Sequence, residues 1–286
     1  MARKMKVLVT GAAGNVGSHT ALELMAHGHQ VRCVDIRPPK VKGAMRNVVA
    51  DLRDLEAMCK AAKGMDAICH LGAIPHGAGG RVQWPDIMDI NVVGTYNVLE
   101  AAERNGIGKV ALASSICATG WCNWGSPPYK ILYLPVDEEH PGVPCDAYSL
   151  SKLLNEETAA AFHYSFGMQV VCFRIGNVAN VATQGRKSLA AGGLRPIWTR
   201  VDVEDVAQCL RLGVEKSKLG FNYYHVTSRW RYDEEGEVVT PERTLKDLEA
   251  FEKAGESICI SPELLQGRNA FSCDKAIEEL GYKPRY

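Results

Sequence analysis

The sequence predicts an α/β fold: a doubly wound parallel sheet with a small, discontinuous C-terminal lobe. Three observations carry this. Short β-branched runs alternate with longer amphipathic stretches along most of the chain. The strand-like runs are continuously apolar, as strands covered on both faces are. The first of them leads through a glycine-rich turn into a helix.

Taken in order, Lys6 to Thr10 is the first strand, and Asn15 to Gly28 is a helix with Val16, Thr20, Leu24 and Met25 on one face. Gln30 to Val34 is the second strand, ended by Asp35, and Asn47 to Ala50 a short third. Leu52 to Ala61 reads as a helix and Asp66 to Leu71 as the fourth strand. Pro85 to Asn105 is a long helix stopped by Gly106, and Lys109 to Ser114 is the fifth strand. Residues 115–145 hold most of the glycine and proline punctuation of a loop. Asp146 to Phe166 is a second long helix, Gln169 to Arg174 the sixth strand, Asp202 to Lys216 a helix and Phe221 to Val226 a further strand. Thr240 is an N-cap with Pro241 at the first helical position, and a last helix covers Asp274 to Leu280.

Composition narrows the class. The chain has 286 residues, 33 basic and 33 acidic side chains and 46% hydrophobic residues, a balance unlike that of a disordered chain or a nucleic-acid binder. No apolar run approaches the ~18 residues needed to cross a bilayer, and Val7-Leu8-Val9 is too short for a signal-peptide core. Ten cysteines form no CxxC pair and no metal-ligand spacing, so they read as reduced core thiols of a cytoplasmic protein without a metal site.

In a doubly wound sheet the ligand site lies beyond the carboxyl ends of the strands, where the strand order reverses. After strand one, Gly11, Gly14 and Gly17 form GxxGxxG with Asn15 and Val16 opening the helix. The first glycine allows the tight turn, the second the approach of a pyrophosphate and the third close helix packing, and the helix N-terminus presents free N–H groups. Asp35 lies 18 residues past Gly17, where a carboxylate accepts hydrogen bonds from adenosine ribose hydroxyls. It would repel a 2′-phosphate, which favours NAD over NADP, whereas Arg37 could pair with one. Asp51 and Leu52 would flank the adenine, and Leu71, Gly72 and Ala73 offer small groups where a cofactor passes the backbone.

Strand five ends Ala113-Ser114-Ser115, and 33 residues past Ser115 stands Tyr148, with Lys152 at i+4 on the same helix face. A phenol is a poor base at its free pKa of ~10, and a neighbouring ammonium lowers it. With Ser115 bonding the substrate oxygen, these groups suit removal of a hydroxyl proton while hydride leaves the same carbon.

With these residues in place, the chain resembles the extended short-chain dehydrogenase/reductases, also called the NAD-dependent epimerase/dehydratase family. Asp51-Leu52, His70-Leu71-Gly72-Ala73, Asn91-Val92-Val93-Gly94-Thr95, Arg174-Ile175-Gly176-Asn177-Val178, Val201 to Ala207 and Asp274 to Pro284 extend the likeness over nearly the whole chain. The resemblance implies a Rossmann domain for NAD over 1–174 plus 202–228 and a substrate lobe over 175–201 plus 229–286. It implies proton transfer by Tyr148, Lys152 on the nicotinamide ribose, and Asn91 beside the cofactor. Counting back from Gly120 makes Ser115, rather than Ser114, the catalytic hydroxyl. It also implies a homodimer through helices 85–105 and 146–166.

Departures from the family pattern narrow the chemistry. The acid pair of the sugar dehydratases is replaced by Ile116 and Cys117, which argues against dehydration. Only 28 positions separate Asn177 from Asp205, short for a segment that closes over a nucleotide sugar. The outline is nearest to the uronate dehydrogenase-like branch, although that branch's Ser-Asn-His reads Ser115-Ile116-Cys117 here and a substrate serine is replaced by Pro75. The expected activity is therefore NAD-dependent oxidation of a secondary alcohol of a small sugar or sugar acid, with an epimerase as the alternative. His76, Ser115, Asn177 and Arg186 are the expected substrate contacts, His76 and Arg186 reading equally as solvated loop residues. Trp121 and Trp124 either stack on a sugar or cap the core. A small sugar-like molecule is the expected partner, with neither nucleic acid nor membrane.

Overall fold

The computed structural model describes residues 3–75, 82–120, 132–144, 146–190, 199–252 and 259–286. Seven strands, β1 (Lys6–Thr10), β2 (Gln30–Asp35), β3 (Arg46–Val49), β4 (Ala67–His70), β5 (Lys109–Ser115), β7 (Gln169–Ile175) and β10 (Phe221–Val226), lie within one residue of the sequence reading. They form one sheet in the order β10-β7-β5-β4-β1-β2-β3, and each neighbouring pair is parallel. The chain winds from β1 outward to β3, then crosses back to β4 and winds the other way. The connections leaving β1 and β4 therefore diverge, and a crevice opens between their carboxyl ends.

Alternate strand residues feed two apolar layers. Val7, Val9, Cys33, Phe173 and Tyr224 pack with Leu24 of α1 (Asn15–Ala26) and Leu210 of α7 (Val203–Glu215). Leu8, Val34, Ile68, Leu112 and Cys172 pack with Met58 of α2 (Leu55–Ala62), with Leu99, and with Phe162 of α5 (Ala147–Phe166). The result is a three-layer α/β/α body.

Three helices differ from their predicted form, the last of them being π-helical over Ala276–Leu280. α2 starts at Leu55 rather than Leu52 because the Asp54 side chain accepts from the Ala57 amide and caps it there, leaving Asp51 and Leu52 in a turn. The long helix is α3 (Trp84–Met88), a π-helical stretch Asp89–Val93 and α4 (Gly94–Arg104) in sequence. From the first turn of α4 the Thr95 hydroxyl donates back to the carbonyl of Asn91 in that stretch at 2.6 Å, a side-chain insertion into the helical ladder. Outside the main sheet, β6 (Tyr133–Leu134) pairs with β11 (Cys259–Ile260), and β8 (Asn177–Ala179) with β9 (Arg200–Asp202). These pairs are too short to show a period in sequence. α6 (Val181–Gln184) follows β8, and α8 (Pro241–Glu252) begins where Thr240 accepts from the Arg243 amide, as its sequence predicts.

Among the described residues, one ion pair lies wholly inside the body. Arg174 of β7 donates from Nε to Glu156 Oε1 (3.0 Å) and from Nη2 to Oε2 (2.9 Å), and its guanidinium sits 4.1 Å above the Tyr223 ring. Ser114 of β5 donates to the same Glu156 carboxylate at 2.6 Å. Both charged side chains are buried. Breaking such a pair strands the surviving charge, whereas replacing both partners with apolar groups does not. Glu156→Gln is expected to lower unfolding free energy by about 3–5 kcal/mol in urea titration. The double change Glu156→Leu/Arg174→Met is expected to cost less than this single one, and a larger cost for the double would contradict the reading.

Candidate active site

The glycine turn is shaped by steric necessity at two positions. Gly11 has φ +70°, and a Cβ there would stand 2.6 Å from the Gly72 amide nitrogen. A Cβ on Gly17 would lie 2.1 Å from the Gly11 carbonyl oxygen. Gly14 is different: it is the N-cap of α1, without a side-chain cap. The first amides of α1 thus open onto the crevice as donors, a setting suited to a diphosphate.

Asp35 ties β2 to this turn. Its Oδ2 accepts from the Ala13 amide at 3.0 Å and its Oδ1 from the Arg37 amide at 2.9 Å. The Arg37 guanidinium is exposed, with Nε 3.9 Å from the Asp35 carboxylate. Asp51 is held below the usual carboxylate range by its hydrogen bonds from Arg53. Leu52 lies under the next loop, where a Cβ on Gly72 would meet its Cδ1 at 2.7 Å.

A buried hydroxyl–imidazole chain joins the strand ends on either side of the switch point. His70 lies 2.6 Å from Thr10 Oγ1 through Nδ1 and 3.0 Å from Thr95 Oγ1 through Nε2. Thr95 gives its proton to the Asn91 carbonyl, so it accepts from His70 Nε2–H. His70 Nδ1 then accepts from Thr10, whose oxygen takes the amides of Leu71 and Gly72 at 3.2 Å each. Every proton is assigned with a neutral ring. Burial drives the His70 pKa down to about 3, helped by the positive charge of Lys152.

The reacting groups stand at the ends of β5 and on α5. Asp146 caps α5 by accepting from the Ser149 amide at 2.7 Å, while Ser149 Oγ accepts from the Asp146 amide. Tyr148 is therefore in the first turn and Lys152 one turn on, its Nζ 5.6 Å from the Tyr148 ring centre and donating to the Ala113 carbonyl at 2.8 Å. Burial pulls the Lys152 ammonium down to about 8, with the Glu156 carboxylate pulling the other way. The two serines differ in role. Ser114 spends its proton on Glu156. Ser115 accepts from the Cys117 amide at 3.2 Å, which leaves its own proton available to a substrate oxygen.

These groups line one cleft of about 620 Å³: Gly11, Gly14, Asn15, Val16, Gly17, Asp35, Arg37, Asp51, Leu52, Leu71, Gly72 and Ala73 with Ser115, Tyr148, Lys152 and Asn177. Asn91 stands behind its wall. It accepts from the Ile74 amide at 2.7 Å and donates to Ser151 Oγ at 3.0 Å, so it shapes the loop while Ile90 faces the cleft. Arg186 is not brought to the cleft; it is exposed, over the Tyr232 ring, in a separate groove with Arg229 and Trp230. His76, Trp121 and Trp124 lie outside the described residues. Sequence reasoning assigned no role to Glu156, although i+8 from Tyr148 was a signal for it. His70 stood within a quoted motif without a role.

The His70 ring is expected to stay neutral far below the usual histidine range. The unfolded imidazole binds a proton near pH ~6.5, and the folded one only near 3. Acid therefore favours the unfolded chain: the contribution is complete above about 6.5 and is lost as pH falls towards 3. Imidazole NMR of histidine-labelled protein, assigned with His70→Gln, checks this, and a His70 titration midpoint above pH ~5 would contradict the assigned network.

Residues 7–226 match a family model described as the NAD dependent epimerase/dehydratase family. The chain is 30% identical over 174 residues to a uronate dehydrogenase of Pseudomonas syringae pv. tomato, aligning 60% of this chain with 59% of that protein. It is 31% identical over 188 residues to a UDP-glucose 4-epimerase of Halalkalibacterium halodurans, aligning 64% of this chain with 53% of that one. It thus spans little more than half the length of these two curated relatives. An L-arabinose 1-dehydrogenase (NAD(P)(+)) of Haloferax volcanii is 30% identical over 228 residues, 74% of this chain and 83% of that protein. Among solved structures, a mutated uronate dehydrogenase is similar with a TM-score of 0.70 and 26% identity, covering 98% of this chain and 82% of that one. The family match runs from β1 through β10, the whole of the parallel sheet, and by it the chain belongs to the NAD dependent epimerase/dehydratase family.

Proposed function

We propose that the protein is an NAD-dependent oxidoreductase that oxidises a secondary alcohol of a small sugar or sugar acid, with Ser115, Tyr148 and Lys152 as its catalytic residues. The observation that carries this is the division of labour at the end of β5: Glu156 takes the Ser114 proton, while the Ser115 proton stays available beside Tyr148 and Lys152 in one cleft. The residues of that cleft fit the cofactor. The uncapped α1 amides beside Gly14 suit its diphosphate, Asp35 its adenosine ribose, and Lys152 the nicotinamide ribose.

When bound, NAD supplies the two-electron acceptor for hydride leaving the substrate carbon. Tyr148, in its phenolate form, takes the hydroxyl proton, and the carbon–oxygen single bond becomes a carbonyl. The Lys152 ammonium stabilises the phenolate, and Ser115 holds the substrate oxygen. Ile116 and Cys117 provide no acid–base pair for dehydration.

Likeness to the UDP-glucose 4-epimerase favours one alternative, a reversible oxidation without net cofactor turnover. Purified protein with excess NAD and a panel of sugars and sugar acids is expected to accumulate NADH absorbance, and Tyr148→Phe to lower that rate at least ~100-fold. Isomerised product without NADH accumulation would establish the epimerase instead, and unchanged turnover in Tyr148→Phe would refute the catalytic assignment.

We also propose a cytoplasmic homodimer through α3, α4 and α5. Val93 and Tyr96 of the first long helix and Tyr164 and Phe166 of the second are exposed, and Phe162 joins Tyr96 (5.6 Å) to Phe166 (5.5 Å). Light scattering at micromolar concentration is expected to give twice the chain mass, and a monomer mass would reject the dimer.

A further inference from the structure

Partly or fully buried arginines here generally hold acceptors. Arg32 donates to the carbonyls of Ala61 and Lys63, Arg174 to Glu156, Arg211 to Glu23 and Glu215, and Arg268 to Asp274. Arg200 differs. Its Nε is buried without a hydrogen-bond partner. Among the described residues no carboxylate forms an ion pair with it. Burial pulls its pKa below the ordinary arginine value, with no neighbouring anion opposing. The side chain is half-buried, and a charge partly withdrawn from water is costly unless something of opposite charge meets it.

Its place in the fold says where that partner would come from. β8 leaves the end of β7 and pairs with β9 so that Asn177 stands opposite Arg200. Val178 and Val201, the next pair, both turn into the apolar layer beneath. Asn177 and Arg200 therefore share the other face of this ribbon. Asn177 lines the cleft just beyond Ile175 and Gly176, across the switch point from Asp35. Arg200 is not itself among the residues lining the cleft, but its backbone lies one strand spacing, ~5 Å, from Asn177, a distance an arginine side chain can span. The carboxylates lining the cleft, Asp35 and Asp51, are on the β2–β3 side. Arg186, in its separate groove, supplies no charge here.

We propose that Arg200 is a specificity-determining residue that pairs with an anionic substituent, carboxylate or phosphate, on the sugar taken up beside Asn177. This rests on reading the cleft as a sugar oxidoreductase site, and binding separates the two ideas. The full chain, saturated with NADH so that no oxidation occurs, is titrated calorimetrically with hexoses and pentoses, each as neutral sugar, sugar acid and sugar phosphate. At least one anionic member is expected to bind tenfold or more tightly than its neutral counterpart, and that member identifies the carboxylate or the phosphate as the group recognised. Arg200→Gln is expected to erase the preference, weakening the anion at least tenfold and the neutral sugar by less than twofold. Arg200→Lys is expected to keep part of it, and 0.5 M salt to reduce it in the unaltered protein. If Arg200→Gln does not fold, the lysine variant and the salt series decide. Equal binding of neutral and anionic members, binding of none, or equal losses for both in the variants would overturn the proposal. An anion held through Arg200 but never oxidised when NAD replaces NADH would instead overturn the oxidoreductase reading alone.

Discussion

The Glu156 carboxylate sits where β5, β7 and α5 meet, and the Arg174 guanidinium fixes both of its oxygens. In a low-dielectric interior this pair tolerates little displacement, because any loosening exposes one charge to apolar surroundings. Its geometry therefore sets the distance between the end of β5 and the face of α5. Ser114 is held against it, which aims the following residue, Ser115, the other way. Lys152 lies one helical turn from Glu156 and Tyr148 one turn further, so the stripe that anchors the helix also carries the chemistry. Stability and reactivity share a single row of side chains.

The other half of the crevice depends on a neutral network. Thr10, His70, Thr95 and Asn91 link the ends of β1 and β4 to the long helix, and Asn91 continues the link to the loop at Ile74. The π-helical stretch belongs to this arrangement, since the Thr95 hydroxyl bonds within it. Strands that diverge at a switch point would otherwise leave their connecting loops unsupported. Here backbone amides at Leu71, Gly72 and Ile74 are each held by a side chain.

Much of this was legible in the sequence, for reasons that can be named. Most strand runs are apolar and stand beside glycine or aspartate, so they emerge to within one residue. The glycine turn and the Tyr148–Lys152 spacing are local, and locality is what a linear pattern conveys. Side-chain pairing across the sheet is not local. Nothing near Glu156 in sequence announces Arg174, 18 positions on, and nothing near His70 announces Thr10 or Thr95. Asn91 was assigned to the right helix, but facing the cofactor rather than the loop behind it. Arg186 illustrates the opposite failure, since a charged residue in a loop could be placed on either side of the lobe and came to rest over Tyr232.

Asp35 is a tether as well as a charge. Because it accepts from the Ala13 amide, it pins the glycine turn to the end of β2. An engineer who replaces it with an aliphatic residue to admit a phosphorylated ribose would remove an anion and loosen the turn in one step. Asparagine or serine at this position would discharge the site while keeping a short acceptor for that amide. Cofactor choice and turn rigidity are thus separable design variables in this chain, but only through residues that can still accept a hydrogen bond.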